Sequence, residues 1–250
     1  MRQSIFIVRN WVKAFLYPRP LIGFFYVPRF LNHLHKYRSA GNDTVKSVDL
    51  IPCLGDWTQY TPFDAHYFFQ GAWLARKLAQ SSPARHIDIG SSVSTIGVSS
   101  AIVPTIFLDF RPLPIVLPGL SSVAGDVLAL PFATASIASL SCLHVIEHIG
   151  LGRYGDPIDP QGDVKAADEL KRVIGPGGIF YLSLPIGRHR VCFNAHRIYS
   201  PESVPAMFSG LQLKDFSYID DNGIFYEHQA IGSVAPMEYG CGLFVFEKPD

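Results

Sequence analysis

From residue 85 onward, short apolar runs alternate with stretches of helical periodicity. The runs at 85–90, 105–109, 121–124, 137–143 and 179–184 have the length and composition of buried strands. Residues 94–101 and 163–174 carry the helical pattern, and 201–208 a shorter one. Strands alternating with helices predict an α/β fold with a parallel sheet and right-handed crossovers. Pro112, Pro114 and Pro118 stand where a helix would follow the second strand, so that connection is predicted to be extended. Two further strands are predicted at 213–219 and 242–247, with no helical pattern between them. The expected sheet therefore has seven strands, mostly parallel, with 242–247 inserted antiparallel between 179–184 and 213–219.

Upstream the pattern changes. Residues 68–80 read as a helix. Residues 50–67 are dense in aromatic and hydrogen-bonding side chains without a strong period, the character of a loop at a pocket mouth or of an ordinary packed connection. Residues 3–17 predict an amphipathic helix: Ile5, Val8, Val12, Phe15 and Leu16 share one face, with Arg2, Arg9 and Lys13 on its flank, and Pro18 and Pro20 stop it. An aromatic stretch, 21–27, then lies between prolines. Gly41-Asn-Asp43 marks a linker, which divides the chain into an N-terminal helical and aromatic extension, 1–42, and one domain, 43–250.

Charge sharpens that division. The formal net charge is zero, yet residues 1–42 hold seven basic residues and no acid, leaving fourteen basic against twenty-one acidic residues in the remainder. A phosphate footprint needs concentrated positive charge, so no nucleic-acid partner is expected for the main domain. The basic, apolar extension suits peripheral membrane contact through residues 1–40, or packing across the domain with its basic side in water. Arg9, Lys13, Arg19 and Arg29 interrupt every apolar stretch there before it is long enough to span a bilayer. No small-residue cleavage site follows a clean apolar run, which argues against a signal peptide. Cys53, Cys142, Cys192 and Cys241 form no CxxC pair, so a reducing cytoplasm is the expected compartment.

The candidate chemistry lies at the predicted strand ends. Asp88-Ile-Gly90-Ser91-Ser92 follows the first strand, Asp109-Phe110 closes the second, and Asp126-Val127 follows the third. Ser141-Cys-Leu-His144 closes the fourth, and Gly175-Pro-Gly-Gly178 leads into the fifth. In this order the set resembles a Rossmann-like class I methyltransferase over residues 85–248. The resemblance implies S-adenosylmethionine as cofactor. It places Asp88, Gly90, Ser91 and Ser92 at the amino-acid tail, Asp109 at the ribose diol and Phe110 against adenine. Asp126, Val127 and His144 border the base. The glycine loop departs from the usual Asp/Glu-x-Gly-x-Gly-x-Gly by keeping only Gly90, and serines approach a ligand less closely than glycine. A narrower resemblance, to the domain of unknown function 268 family, rests on the Asp88–Ser92 segment, Phe107-Leu-Asp109-Phe-Arg-Pro112, the run from Ser141 through Pro160, and Phe193-Asn-Ala-His196-Arg197.

His144-Val-Ile-Glu147-His148 admits three readings. On a helix it would match the His-x-x-Glu-His of inverzincin metallopeptidases, although here it ends a strand-like run. It is also similar in position to the Glu-x-x-Glu-His that holds a divalent metal in small-RNA and ubiquinone-pathway O-methyltransferases. Thirdly, His144 borders adenine while Glu147 and His148 orient substrate or a loop; no metal ligand is assigned on this reading. The glycine- and proline-rich loop at 150–163 carries Arg153, Tyr154 and Asp156 and suits a cover over substrate, or simply a turn capped by Asp163. His148, His196 and Asp156 are the candidate general bases.

The expected activity is therefore methyl transfer to a small polar or glycan-type acceptor. The rivals are a non-catalytic S-adenosylmethionine- or nucleotide-binding protein and a metal-dependent hydrolase using His144, Glu147 and His148.

Overall fold

A computed structural model describes residues 20–41 and 45–250. The amphipathic stretch expected at 3–17 and positions 42 and 43 of the linker signal lie outside them. The chain forms two compact units, Met1–Phe63 and Asp64–Asp250. No helix among the described residues is long and apolar enough to cross a membrane.

In the first unit, α1 (Pro20–Ala40) runs through the stretch read as aromatics between prolines. Pro20 sits in the first turn, where its missing N–H has no helical partner to lose, and Pro28 lies inside the helix. Arg29 stacks over the rings of Tyr26 at 4.6 Å and Trp57 at 4.0 Å, which ties α1 to the segment that follows it.

The second unit opens with α2 (Ala65–Ser81), capped by Asp64, whose side chain accepts the N–H of Tyr67 at 3.2 Å. There follow β1 (His86–Ile89), α3 (Val93–Ser99), β2 (Thr105–Asp109), β3 (Leu120–Ala124) and β4 (Ile137–Leu143). A 3-10 turn (Ile146–His148) leads to α4 (Gly162–Val173) and β5 (Ile174–Ile186). The chain ends with a hairpin of β6 (Arg190–Cys192) and β7 (His196–Ile198), then α5 (Ser203–Met207), β8 (Gln212–Ile219), β9 (Phe225–Tyr226) and β10 (Gly240–Glu247).

The sheet order is β3-β2-β1-β4-β5-β10-β8-β9. The first five strands are parallel; β10 is antiparallel to both β5 and β8. The inserted antiparallel strand is as expected, and residues 110–119 contain no helix. The sheet has eight strands rather than seven, because the two-residue β9 pairs with the edge of β8. The β6–β7 hairpin is a further pairing absent from the expectation.

Alternation along β10 shows how the two faces are filled. Leu243 and Val245 pack with Trp73, Leu74 and Leu78 of α2, and Phe244 and Phe246 join the opposite cluster with Ala166, Leu170 and Val173 of α4. With both faces covered, the parallel strands direct their carboxyl ends to one open edge, where an α/β sheet takes its ligands.

Candidate functional site

Gly90 begins the site. It follows β1 with φ +64°, and a Cβ there would lie 3.4 Å from Val145 and 3.5 Å from Asp109 Oδ2. At this φ a side chain would be strained even though those contacts are of ordinary length. Beneath this turn Asp88 is fully buried. Its carboxylate accepts the Ser91 N–H at 3.0 Å, the Ser91 hydroxyl at 2.7 Å and the Ser141 hydroxyl. Burial pushes the Asp88 pKa up to about 6 against the pull of these donors. Asp88, expected at the cofactor tail, holds the turn from below, behind the residues that line the cavities at the strand ends.

Gly90, Asp109, Phe110, Asp126, Val127 and His144 all border one cavity of about 210 Å³, with His148 and Asp156 also in its wall. Asp109 accepts the Arg111 N–H through Oδ1 at 2.7 Å and turns Oδ2 toward Gly90. Asp126 accepts the Leu128 N–H at 2.9 Å. Phe110 is 71% exposed, its ring free to cover a planar ligand. A neighbouring space of about 490 Å³ takes in Ser91 and Ser92.

A third cavity, about 660 Å³, opens beyond β4 and is bordered by His66, Tyr67, Glu147, His196, Asp221 and Tyr239. His144, His148 and Tyr154 line all three spaces, so they stand at the junction. His66 and Tyr67 belong to the first turn of α2. Tyr239 is held by Asp221, whose carboxylate accepts the N–H groups of Glu238 and Tyr239 at 2.8 and 2.7 Å.

The His144, Glu147 and His148 motif does not lie on one helical face. His144 leaves β4 with φ +56°, and Glu147 and His148 sit on the following 3-10 turn. The inverzincin arrangement therefore does not form. His144 Nδ1 lies 2.9 Å from Glu147 Oε1, and its Nε2 lies 3.2 Å from Cys241 Sγ. Burial opposes a charge on His144, but the Cys241 sulfur and the Glu147 carboxylate outweigh it and raise the imidazole to about 10. His66 moves the other way, to about 4, through burial and the neighbouring His144, partly offset by Asp64 and Asp221. His148 donates its Nδ1–H to the Ala195 carbonyl at 2.6 Å. His196 stacks on Tyr239 at 5.1 Å, and burial and His148 hold its pKa below the usual imidazole value.

Asp156 serves its own loop. Its carboxylate accepts the N–H groups of Gly150, Gly152 and Tyr154 at 2.8, 3.1 and 3.2 Å, and these bonds hold its pKa low despite the opposing effect of partial burial. It is occupied as an acceptor and poorly suited to take a proton, contrary to its candidacy as a base. Gly150, with φ +83°, passes so close to the Asp159 carbonyl that no Cβ fits. Arg197 fastens the loop: it donates to the Ile149 carbonyl at 2.7 Å and pairs with Asp163 at 3.5 Å. Tyr199 donates to the other Asp163 oxygen at 2.9 Å. Asp163 thus anchors the loop to β7 rather than capping α4, whose N-cap is Gln161.

The expected residues Gly90, Asp109, Phe110, Asp126, Val127, His144, His148 and His196 all border these cavities, and Tyr239 joins them unannounced by any local pattern; Cys241, also unannounced, touches His144 but lines none of the three. His66 and Tyr67 lay at the end of the aromatic stretch; their local signal is Asp64, an N-cap residue three positions before Tyr67.

Residues 132–236 match the model of the family described as "Caenorhabditis protein of unknown function, DUF268". The span contains the His144 motif, the fastened loop and the β6–β7 hairpin. No functionally curated protein has a sequence that matches this one. Among solved structures, the N-methyltransferase NodS from Bradyrhizobium japonicum, in complex with S-adenosyl-L-homocysteine, is similar with a TM-score of 0.50 and 16% identity. That match covers 74% of this chain and 88% of NodS. The 1,6-didemethyltoxoflavin-N1-methyltransferase from Burkholderia thailandensis gives 0.52 and 13%, over 74% of this chain and 79% of that one. The [4+2]-cyclase SpnF gives 0.51 and 10%, over 71% and 81%. The chain has the class I methyltransferase fold.

Proposed function

We propose that this chain is an S-adenosylmethionine-dependent methyltransferase, with the cofactor along the carboxyl ends of β1 to β4 and a small polar or glycan-type acceptor in the cavity beyond β4. The observation that carries the reading is the meeting of the two sides at His144, His148 and Tyr154. The cofactor fits the residues present: Gly90 leaves a cradle that a Cβ would fill, and Asp109 keeps one carboxylate oxygen directed toward it for the ribose diol. When bound, the cofactor supplies an electrophilic methyl group. The protein's own task is to align an acceptor lone pair with it and keep water away, and such positioning accounts for most of the acceleration expected of this chemistry. His148 is the favoured base for a hydroxyl acceptor. The Nδ1–H bond to Ala195 fixes its tautomer and leaves Nε2 to accept a proton. His196, across the cavity and kept neutral by its surroundings, is the second candidate.

The polar lining supports a polyhydroxy acceptor: Asp64, Tyr67, His196, Asp221 and Tyr239 offer many hydrogen bonds and little apolar surface. Cys53, Cys142, Cys192 and Cys241 are free thiols, in keeping with a cytoplasmic setting. The basic segment 1–40 is proposed to add peripheral membrane contact; equal vesicle pelleting with and without it would reject that role.

A non-catalytic binding protein is the second reading, favoured by the single glycine in the turn after β1. SpnF, a cyclase, shares the fold, so the fold alone does not decide. Incubation with methyl-labelled cofactor and a panel of sugars and glycans separates the two. Labelled product is expected. Tight binding of the cofactor with no transfer to any acceptor would favour the second reading.

A further inference from the structure

The geometry points to a transition-metal site, suited to zinc, formed by His66, His144 and Cys241, with an open position toward the acceptor cavity. One ligating atom from each residue lies within 4.8 Å of the other two. His144 Nε2 and Cys241 Sγ are already 3.2 Å apart. Donors on a tetrahedral zinc ion, with bonds of about 2.0 Å to nitrogen and 2.3 Å to sulfur, stand about 3.5 Å from each other. His66 therefore closes in by little more than an ångström at most. The ligands come from the start of α2, the end of β4 and the interior strand β10, elements that fix their backbones.

The surroundings have the character of a metal site's outer layer. Ligating histidines generally donate their second ring N–H to a carboxylate, which sets the tautomer and aims the other nitrogen at the ion. His144 has this arrangement, with Nδ1 2.9 Å from Glu147 Oε1 and Nε2 facing the sulfur. Glu147 is wholly buried, and its Oε2 has no hydrogen-bond partner among the described residues. A divalent cation held by His144 and Cys241 would place positive charge near this buried carboxylate. Two imidazoles and a thiolate select zinc over magnesium or calcium, which prefer oxygen.

This set differs from a His144, Glu147 and His148 site. Glu147 acts here through His144, as a positioning residue, and His148 Nδ1 is already engaged by Ala195. His66 and His144 border the acceptor cavity, and His144 also borders the cofactor side, so the fourth position falls between the two.

Together with the methyltransferase reading, on which this step rests, the site selects an oxygen acceptor. A coordinated hydroxyl is acidified and keeps a lone pair for attack, whereas an amine spends its only pair on the metal. The O–H bond breaks with its proton passing to His148 Nε2. The new O–CH₃ bond forms as the methyl–sulfur bond breaks, and that bond's electron pair stays on sulfur.

The test uses the full chain, freed of metal by chelation, reloaded with zinc and dialysed. About one equivalent of zinc is expected to remain in the parent. Cobalt loading should give a thiolate-to-cobalt charge-transfer band. His66→Ala and Cys241→Ser should each fall to near zero zinc, and Cys241→Ser should lose the band, while Cys192→Ser keeps both. Glu147→Gln should weaken zinc affinity roughly 10–100-fold. Zinc retained equally by His66→Ala and Cys241→Ser, or not retained by the parent, would overturn the site. Circular dichroism and cofactor titration of the same variants check their folding. A parent that holds zinc but does not bind S-adenosylmethionine would sink the methyltransferase reading and leave the metal site standing.

Discussion

On the cofactor side, the residues expected to hold the ligand lie at the end of a strand or just beyond it: Gly90 after β1, Asp109 closing β2, Asp126 two positions past β3. On the acceptor side the lining residues come from positions as far apart as His66 and Tyr239. The first side is set by backbone geometry repeated along a sheet edge. The second is assembled by long-range ties, Arg197 to the 150–163 loop, Asp221 to the Tyr239 backbone and Cys241 to His144. A lost tie should therefore disturb the acceptor side broadly, whereas a change at one strand end should act on cofactor affinity alone.

The largest expected effect is on turnover. His148→Ala should lower methyl transfer by about 10²- to 10⁴-fold, the usual contribution of a positioned base, with cofactor affinity nearly intact. Measured rates with the acceptor that supports turnover, beside a cofactor titration, check this; a parallel loss of binding would place His148 on the cofactor side instead.

Arg197→Met should come next. It removes the cation beside the buried Asp163 carboxylate, which keeps only Tyr199, and the donor to the Ile149 carbonyl, and breaking a buried ion pair costs about 3–5 kcal/mol. Denaturant unfolding should show the loss. If stability is unchanged, the loop is not fastened as described.

Asp88 gives a pH dependence on the cofactor side. Its folded pKa, about 6, lies above the ordinary value of 3.8, so between about pH 4 and 6 the folded state keeps a proton that the unfolded state has released. Stability should fall as pH rises through that window, by roughly 2–3 kcal/mol. The contribution is fully present below the unfolded pKa and gone above the folded one. Unfolding free energies at several pH values should show this fall in the parent and its absence in Asp88→Asn. The same slope in both proteins would assign it to other groups.

The same contrast governs what was legible in the sequence. Strand ends are local features. Residues 105–109 and 137–143 were placed to the residue, and the antiparallel insertion followed from a missing helix. In the sequence, an acid after a short buried strand looks alike whether it faces a ligand or supports a turn; the support Asp88 gives becomes visible only with the positions of Ser91 and Ser141. The β6–β7 hairpin has three-residue strands and no glycine in the intervening Phe193-Asn-Ala, so neither period nor turn chemistry announced it. Pro28 concealed α1, since a proline inside a helical stretch ordinarily marks a boundary. His66 and Cys241 share no local motif, and the sheet order that brings them together is a property of the whole domain.

Cofactor binding at the strand ends remains the claim on which the rest depends, and calorimetric titration of S-adenosylmethionine into the parent and into Asp109→Ala tests it directly. Charge-assisted bonds to the ribose hydroxyls are worth about 1.5–3 kcal/mol each. Their loss should raise the dissociation constant roughly tenfold or more, with both proteins equally folded by circular dichroism. Equal affinity in the two, or no binding by the parent, would contradict the placement of the cofactor along β1, β2 and β3.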